Sequence, residues 1–309
     1  MLEFVDKWVW DFWLYKEADQ HHIFFLQAPK SLGDERLRHF NASIGHARST
    51  DLIKWEILPD ALAPGARGEW DDEATWTGCT YKNGDTYYLF YTGVNKREKG
   101  LVQRIGLATS KDLIHWDKYS GNPIIEADPR WYELLDLDAW HDQAWRDPWV
   151  FEYGGEFHAY ITARVNAGIP DGRGVIAHAV SNDLLNWKVQ PPVTQPGHFG
   201  QLEVPQLIEV DSKTYLLFST DRFTHSKALL DRTNKPPVTG FASYHGATPL
   251  GPFTHTDDPW LFSDKNGLLY SGKFIDSSEA GWRLMAFENY DNDGEFIGRI
   301  PDPFTVKKR

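Results

Sequence analysis

The chain has 309 residues and is acidic, with 32 Lys and Arg against 44 Asp and Glu and a net charge of −12. Neutralising phosphates requires clustered Lys and Arg, and the chain contains no basic run, so a nucleic acid partner is not expected. Hydrophobic residues make up 41% of the chain and aromatic residues 15%, including 14 Trp. This content excludes a disordered chain and is sufficient for a large core.

The sequence contains no apolar run near the ~20 residues that a membrane helix needs, so no membrane partner is expected. Its first residues, MLEFVD, lack the basic and apolar regions of a secretory signal. We therefore expect a cytoplasmic protein, with secretion of a processed form as the alternative. The single cysteine, Cys79, lies in a segment typical of a strand, which predicts a buried, inert thiol.

A short pattern occurs three times. Residues 49–55 read STDLIKW, residues 110–116 read SKDLIHW, and residues 181–187 read SNDLLNW. A long spacing between similar units predicts a radial or stacked array of sheets. We expect the repeated Asp to hold its turn through side-chain to backbone hydrogen bonds, and the repeated Trp to pack between neighbouring units.

Aromatic, β-favouring segments precede these copies and extend the pattern to five units. The units cover about residues 11–58, 70–119, 146–190, 203–256 and 257–300, and the fifth is the least regular. Sustained helical periodicity is absent, so long helices are not expected. Four-stranded units in this number predict an all-β fold, a five-bladed β-propeller whose first strands surround a central channel. We expect one such domain over residues 1–309.

Three acidic residues lie at the starts of these units. Asp11 opens the first unit, Asp147 the third and Glu203 the fourth, each among apolar or aromatic neighbours. If the first strands line the channel, the three acids meet at one end of it, where low dielectric separates their pKa values. Glycosidic cleavage requires one ionised carboxylate and one protonated carboxyl. A buried salt bridge is the alternative for each acid, most clearly for Asp147 beside Arg146.

The residues around these acids resemble a known family. Residues 44–55, IGHARSTDLIKW, resemble the first-blade signature of glycoside hydrolase family 32, the β-fructofuranosidase, invertase and inulinase group. Residues 76–78 with 88–93 resemble its second blade. Residues 146–148 match its Arg-Asp-Pro motif, and residues 203–205 resemble its Glu-Cys-Pro motif with Val in place of Cys. The resemblance covers about residues 8–220.

This resemblance implies a five-bladed propeller and a retaining double displacement that cleaves β-fructofuranosides, such as sucrose or short fructans, without a cofactor. Asp11 would be the nucleophile that attacks the anomeric carbon, and Glu203 the general acid and later the general base. Asp147 would hold sugar hydroxyls and stabilise the transition state, and Arg146 would help keep Asp147 ionised. Retention requires the two main carboxyls to lie about 5–5.5 Å apart.

Two features depart from the family pattern. Residues 8–13, WVWDFW, resemble the nucleophile segment of family 68, the levansucrases, more than the Asn-Asp-Pro-Asn of family 32. The chain also stops about where the propeller should close, so we expect the propeller without the C-terminal β-sandwich of family 32. Fructosyl transfer is one alternative to hydrolysis. Inversion by a family 43-like arabinofuranosidase or xylosidase, with carboxyls about 6.5–9.5 Å apart, is another. A non-catalytic sugar-binding propeller is the third.

The remaining candidates are substrate-binding residues, each with a structural role as its alternative. They are Gln27, Trp76, His141, Arg146 and Asp221. Trp76 is expected to stack on a sugar face, and Gln27 resembles the family's first-blade glutamine. His141 precedes Arg146, and Asp221 follows a strand of the fourth unit.

No metal site is expected, because His21, His22 and His39 form no coherent ligand set. The acidic run at residues 291–294, DNDG, is interpreted as a turn in preference to a calcium site. The expected partner is a small carbohydrate. A homo-oligomer is left open beside a monomer.

Overall fold

The computed structural model describes residues 1–276 and 281–306. Within these ranges the chain forms five antiparallel sheets arranged as a five-bladed β-propeller, which confirms the predicted fold class. Helical structure is short, as the sequence predicts. It consists of α1 (Lys227–Thr233) and four 3₁₀ segments at Lys30–Leu32, Glu35–Asn41, Pro170–Gly172 and Arg222–Thr224. No helix in this part of the chain is long and apolar enough to cross a bilayer.

Each blade is built from strands that are consecutive in sequence. Blade 1 consists of β1 (Lys7–Glu17), β2 (Gln20–Pro29), β3 (Ser43–Ser49) and β4 (Glu56–Ile57). Blade 2 consists of β5 (Ala74–Asn83), β6 (Thr86–Val94), β7 (Arg104–Ser110) and β8 (Asp117–Lys118). Blade 3 consists of β9 (Trp145–Tyr153), β10 (Glu156–Arg164), β11 (Gly174–Ser181) and β12 (Trp187–Gln190).

The last two blades depart from the four-strand order. Blade 4 consists of β13 (Glu203–Val210), β14 (Lys213–Thr220), β15 (Thr239–Gly246), β16 (Phe253–Thr254) and β17 (Trp260–Asp264). Blade 5 consists of β18 (Leu269–Asp276), β19 (Trp282–Tyr290), β20 (Phe296–Arg299) and β21 (Phe304–Thr305). The predicted start of the fifth unit, about residue 257, is wrong, because β17 pairs with β15 and therefore belongs to blade 4.

The hydrophobic core lies between the blades. One cluster joins blades 1, 2 and 5, a second joins blades 2 and 3, and a third joins blades 3 and 4. The repeated Trp contributes to two of these contacts: Trp116 packs edge-on against Phe24 of blade 1, and Trp187 against Phe90 of blade 2. At these two joints the repeated Trp therefore packs between neighbouring sheets, as the repeat predicts.

The repeated Asp residues close their turns in the same way in three blades. In blade 3, Asp183 Oδ1 accepts hydrogen bonds from the backbone N–H groups of Leu185 and Asn186, at 2.9 and 2.7 Å. Asp51 and Asp112 accept the equivalent bonds in blades 1 and 2. The Leu after each Asp has a positive φ of 63° to 66°. The recurring sequence is thus the signature of one turn geometry, as expected.

The innermost strands of all five blades share a bulge. Each gains one residue relative to its neighbouring strand, at one level of the channel. The bulged positions are Asp11, Thr77, Asp147, Val204 and Ser271. Three of them have a positive φ: 58° at Asp147, 50° at Val204 and 55° at Ser271. A bulge re-aims the adjacent side chains, so this ring of bulges directs a set of residues toward the channel.

The ring closes between blades 5 and 1 through a short bridge. Leu2 N–H donates to Ile300 O at 2.8 Å, and Ile300 N–H donates to Leu2 O at 3.0 Å. Strand β1 also packs against β18, β19 and β20. Outside the strands, the Arg299 guanidinium lies 3.5 Å from the Glu3 carboxylate, and the N-terminal ammonium pairs with Asp302. Closure therefore combines two backbone hydrogen bonds with ion pairs and side-chain packing.

Candidate active site

A cavity of about 270 Å³ opens at the level of the bulges. The three acids predicted from the sequence, Asp11, Asp147 and Glu203, all line it. The other lining residues come from blades 1 to 4 and their connections: Leu26, His39, Phe40, Trp76, Thr77, Gly100, Leu101, His141, Asp142, Arg146 and Gln201. The fold therefore brings together acids that are far apart in the sequence.

Asp11 is unpaired within β1. Its neighbours Trp10 and Phe12 pair with Leu26 and Phe25 of β2, so the bulge leaves Asp11 with no residue opposite. Its Oδ1 is buried and has no hydrogen-bond partner in the described part of the chain. Burial, followed by the carboxylates of Asp147 and Glu203, raises the pKa of Asp11 to about 7. This carboxyl therefore changes charge near neutral pH.

Glu203 is held from two sides. Its Oε1 accepts hydrogen bonds from Arg146 Nη2 at 2.7 Å and Nε at 3.2 Å. Its Oε2 accepts a hydrogen bond from the hydroxyl of Tyr270, the first residue before the bulge of blade 5. Glu203 and Asp11 therefore occupy different surroundings: Glu203 has three donors, and one oxygen of Asp11 has no donor among the described residues. Such a contrast is typical of carboxyl pairs with divided roles.

Arg146 is the buried centre of the charge network. Besides Glu203, its guanidinium donates to Gln201 Oε1 at 2.9 Å and Gln103 Oε1 at 3.1 Å, and approaches Asp142 Oδ2 at 3.5 Å. Burial opposes its charge, but the carboxylates of Glu203, Asp142 and Asp147 outweigh burial and raise the pKa of Arg146. Arg146 therefore stays charged and fixes the orientation of the surrounding carboxylates.

Asp147 is fixed by its own bulge and by blade 4. Its Oδ2 accepts hydrogen bonds from Thr162 Oγ1 at 3.0 Å and from Val204 N–H at 3.1 Å. Arg146 Nε lies 3.7 Å from the same oxygen. Burial raises the pKa of Asp147, and the Arg146 guanidinium partly offsets that rise. Asp147 therefore makes the ion pair expected as the alternative and also lines the cavity, and its catalytic role stays a prediction.

The aromatic side of the cavity is built by Trp76 and His39. Trp76 Nε1 donates to His39 O at 2.6 Å, and the two rings meet edge-on. Burial lowers the pKa of His39 well below its usual value, with smaller contributions from Arg38 and Arg146, so this imidazole is neutral. These two rings give the cavity an apolar wall, as ligand pockets commonly have.

The predicted substrate-binding residues divide into two groups. Trp76, His141 and Arg146 line the cavity. Gln27 and Asp221 are not among the lining residues, and contact of either side chain with a sugar stays a prediction. The Gln27 amide is buried and engaged by Lys7 Nζ at 3.1 Å and Ser43 Oγ at 3.2 Å. The carboxylate of Asp221 caps the 3₁₀ segment after it, accepting from Phe223 N–H at 2.8 Å and Thr239 Oγ1 at 3.1 Å.

Sequence reasoning missed several residues of the site. His39 was considered only as a metal ligand, yet it lines the cavity. Tyr270 holds Glu203 and is buried, but its unit was the least regular in sequence. The structure shows what these positions share: one residue of each innermost strand immediately precedes the bulge. These residues are Trp10, Trp76, Arg146, Glu203 and Tyr270.

The other predicted features are placed as follows. Within the described ranges, no three His, Cys, Asp or Glu side chains come together as metal ligands. Asp291 Oδ1 accepts hydrogen bonds from the N–H groups of Asp293 and Glu295, which makes the acidic run a turn. Cys79 is buried, and burial raises the pKa of its thiol to about 12, so the thiol is inert as predicted.

Comparison with known proteins identifies a matching protein family. The family model for the glycosyl hydrolases family 32 N-terminal domain matches residues 12–240, beginning one residue after Asp11. A sucrose-6-phosphate hydrolase of Streptococcus mutans is 28% identical over 201 residues, which is 63% of this chain and 38% of the relative. An insoluble beta-fructofuranosidase isoenzyme of Arabidopsis thaliana is 31% identical over 175 residues, which is 54% of this chain and 28% of the relative. The chain thus spans less than two fifths of the length of either relative.

A solved structure extends the likeness in fold. Inulosucrase from Halalkalicoccus jeotgali bound to kestose superposes with a TM-score of 0.77, at 20% identity, over 96% of this chain and 81% of that one. Its fold is therefore shared well beyond the segment that the family model matches. The extent of the family match, together with the propeller, establishes that the chain belongs to glycosyl hydrolases family 32.

Proposed function

We propose that this protein is a retaining glycoside hydrolase that cleaves β-fructofuranosides, such as sucrose and short fructo-oligosaccharides. The observation that carries the proposal is the convergence of Asp11, Asp147 and Glu203, from blades 1, 3 and 4, on one cavity. Membership of family 32 and the names of the two relatives support the same substrate class. The cytoplasmic location, the single domain and the oligomeric state remain predictions from the sequence.

In the proposed reaction, a carboxylate oxygen of Asp11 attacks the anomeric carbon of the fructosyl unit. The bond to the leaving oxygen breaks as Glu203 gives that oxygen its proton. The product is a covalent fructosyl ester on Asp11. In the second step Glu203 takes a proton from water, the resulting hydroxide attacks the same carbon, and Asp11 leaves as a carboxylate.

The neighbouring residues support this assignment of roles. An attacking carboxylate needs an oxygen free of donors, and Asp11 Oδ1 has no hydrogen-bond partner in the described part of the chain. Asp147 is anchored by Thr162 and Val204, so it is a fixed acceptor for sugar hydroxyls. The Trp76 ring lines the same cavity, where it can cover an apolar sugar face.

The test is an assay of the purified chain on sucrose, inulin, levan and aryl furanosides, with the first-formed anomer read by NMR. We expect fructose released from a β-fructofuranoside as the β-anomer. Release of the inverted anomer, or cleavage of arabinofuranosides alone, would replace the proposal by the inverting alternative. Binding of fructosides without turnover would favour the alternative of a non-catalytic sugar-binding propeller. Longer fructosides in the product mixture would show that transfer competes with hydrolysis at the second step.

A further inference from the structure

Lys273 lies in β18, three residues after Tyr270 and directly after the bulge of blade 5. Only 4% of this residue is exposed. Its Nζ donates to the carbonyl oxygen of Val204 at 2.7 Å. A lysine is almost never fully buried unless it has a partner, because removing its charge from water is costly. The burial of Lys273 directly after the bulge of blade 5 therefore needs a physical explanation.

The first part of that explanation is the backbone of Val204. This residue has φ 50°, and a positive φ is a genuine outlier for a β-branched side chain. Its N–H donates to Asp147 Oδ2 at 3.1 Å, and its carbonyl accepts the hydrogen bond from Lys273. Both peptide groups of Val204 are thus held. Since Val204 follows Glu203, these two bonds also fix the backbone that carries Glu203.

The second part is charge. Burial lowers the pKa of Lys273 to about 8, and the carboxylates of Asp147 and Asp11 oppose that fall, with a smaller effect of Cys79. In return, Arg38 and Lys273 are the cations that lower the pKa of Asp11 against burial and its acidic neighbours. Lys273 also lines a second cavity, whose other titratable side chains are Lys16, His21 and Asp276.

We propose that Lys273 is a positioning residue of the active site, which holds the Val204 backbone beside Glu203 and stabilises the ionised carboxylate of Asp11. This inference rests on the proposed function, in which Asp11 attacks as an anion. Once Asp11 becomes an ester it carries no charge, and Lys273 keeps Asp147 as its anionic neighbour. The ammonium therefore supports both the attacking and the esterified state.

The kinetic test uses two neutral variants. Lys273→Gln keeps an N–H donor for Val204 but removes the charge, and Lys273→Met removes both. In Lys273→Gln we expect the ascending limb of kcat/KM against pH to move up by about one unit, because Asp11 loses a nearby cation. Lys273→Met should show the same shift with a further fall in kcat. The exposed Lys188→Gln is the matched control and should keep the wild-type profile. An unshifted limb in folded Lys273→Gln would overturn the proposal.

A second test needs neither turnover nor a Lys273 variant. With lysine labelled by ¹³C at Cε, a buried lysine that titrates near 8 is separated from exposed lysines, which titrate near ~10.4. Electrostatic coupling is reciprocal, so Asp11→Asn should lower the pKa of Lys273 by as much as Lys273 lowers that of Asp11. An unchanged pKa in Asp11→Asn would refute the coupling. A protein that shows this coupling but cleaves no fructoside would instead refute the proposed function, while the electrostatic coupling of Lys273 to Asp11 would stand.

Discussion

The outer turns and the inner bulges of this propeller repeat in different ways. In blades 1 to 3 the outer turns repeat both sequence and hydrogen bonds, with Asp51, Asp112 and Asp183 in the same role. The inner bulges repeat the backbone in all five blades but carry a different side chain in almost every one. Repetition in sequence therefore marks the scaffold, and divergence on a repeated backbone marks the site.

The Asp residues of the outer turns and the acid of the inner bulge also differ in pKa. The N–H groups of Lys54 and Ile53, with the Ser49 hydroxyl, lower the pKa of Asp51 to about 2. Burial and neighbouring carboxylates raise that of Asp11 to about 7. An outer Asp such as Asp51 is therefore ionised at neutral pH and stabilises its turn, whereas Asp11 gains or loses its proton near neutral pH.

The largest effect is expected at the inner acids. Asp11→Asn removes the proposed nucleophile, and Glu203→Gln removes the proposed acid, so each should lower kcat/KM on sucrose or a short fructan by at least about 10³-fold. Neither change should unfold the chain. The raised pKa means that ionising Asp11 costs stability as pH rises from about 4 to about 7, so Asp11→Asn should melt at the same or a higher temperature at pH 8.

The control for this prediction is Asp112→Asn in an outer turn, which should keep its activity. Near wild-type turnover in either inner variant would mean that the ring of bulges does not hold the reacting carboxyls. The assignment of Asp11 and Glu203 would then be withdrawn.

Tyr270→Phe comes next. It deletes the hydroxyl that donates to Glu203 Oε2 and leaves the ring in place. Glu203 is a carboxylate when it acts as the base in the second step, and a hydrogen bond to a charged group contributes about 1.5–3 kcal/mol, so kcat should fall roughly 10- to 100-fold. KM should change little, because Tyr270 acts through Glu203. The exposed Tyr153→Phe serves as its control. A pure KM effect would contradict this role and would place the hydroxyl on the substrate instead.

The pH profile should show a smaller, graded effect. Since Asp11 must be ionised to attack, kcat/KM should rise with pH through about 7 and fall roughly tenfold for each unit below it. Initial rates at low substrate concentration, from pH 5 to pH 9, measure this limb. An ascending limb of kcat/KM centred near pH 4 would show that Asp11 titrates like an ordinary exposed carboxyl, and would contradict its raised pKa.

The smallest effect is expected at the outer turn of blade 3. Asp183→Ala removes the acceptor for Leu185 and Asn186, which should cost about 1 kcal/mol of unfolding free energy. The value of kcat should stay unchanged. Urea unfolding measures the first quantity and a standard assay the second, with the adjacent exposed Asn182→Ala as reference. A large loss of activity in Asp183→Ala would contradict the distinction between a structural outer turn and a catalytic inner bulge.

The fold was predictable because its repeats are local. Each outer turn encodes its geometry within seven residues, and aromatic strands flank it, so the number of blades followed from spacing. Asp11, Asp147 and Glu203 were predictable because acids at strand starts, among apolar neighbours, are unusual. The fifth blade was harder: it lacks the outer motif, so its start was placed too early and Tyr270 and Lys273 were missed.

The side-chain positions of Gln27 and Asp221 outside the cavity lining have a different cause. Both lie in the expected elements, but hydrogen bonds decide which way their side chains point. Gln27 is drawn to Lys7 and Ser43, and Asp221 to the turn that follows it. Such choices depend on residues that are distant in sequence or on local capping, and a motif does not carry that information.

The two-bond bridge between Leu2 and Ile300 has a thermal consequence. It lies at the joint between the blade that carries Asp11 and the blade that carries Tyr270 and Lys273, so parting there would separate the nucleophile from its supporting partners while every sheet stayed intact. On warming, we expect catalysis to fade before far-ultraviolet circular dichroism changes. A covalent link across this joint should therefore extend the working temperature more than an equal gain in stability elsewhere.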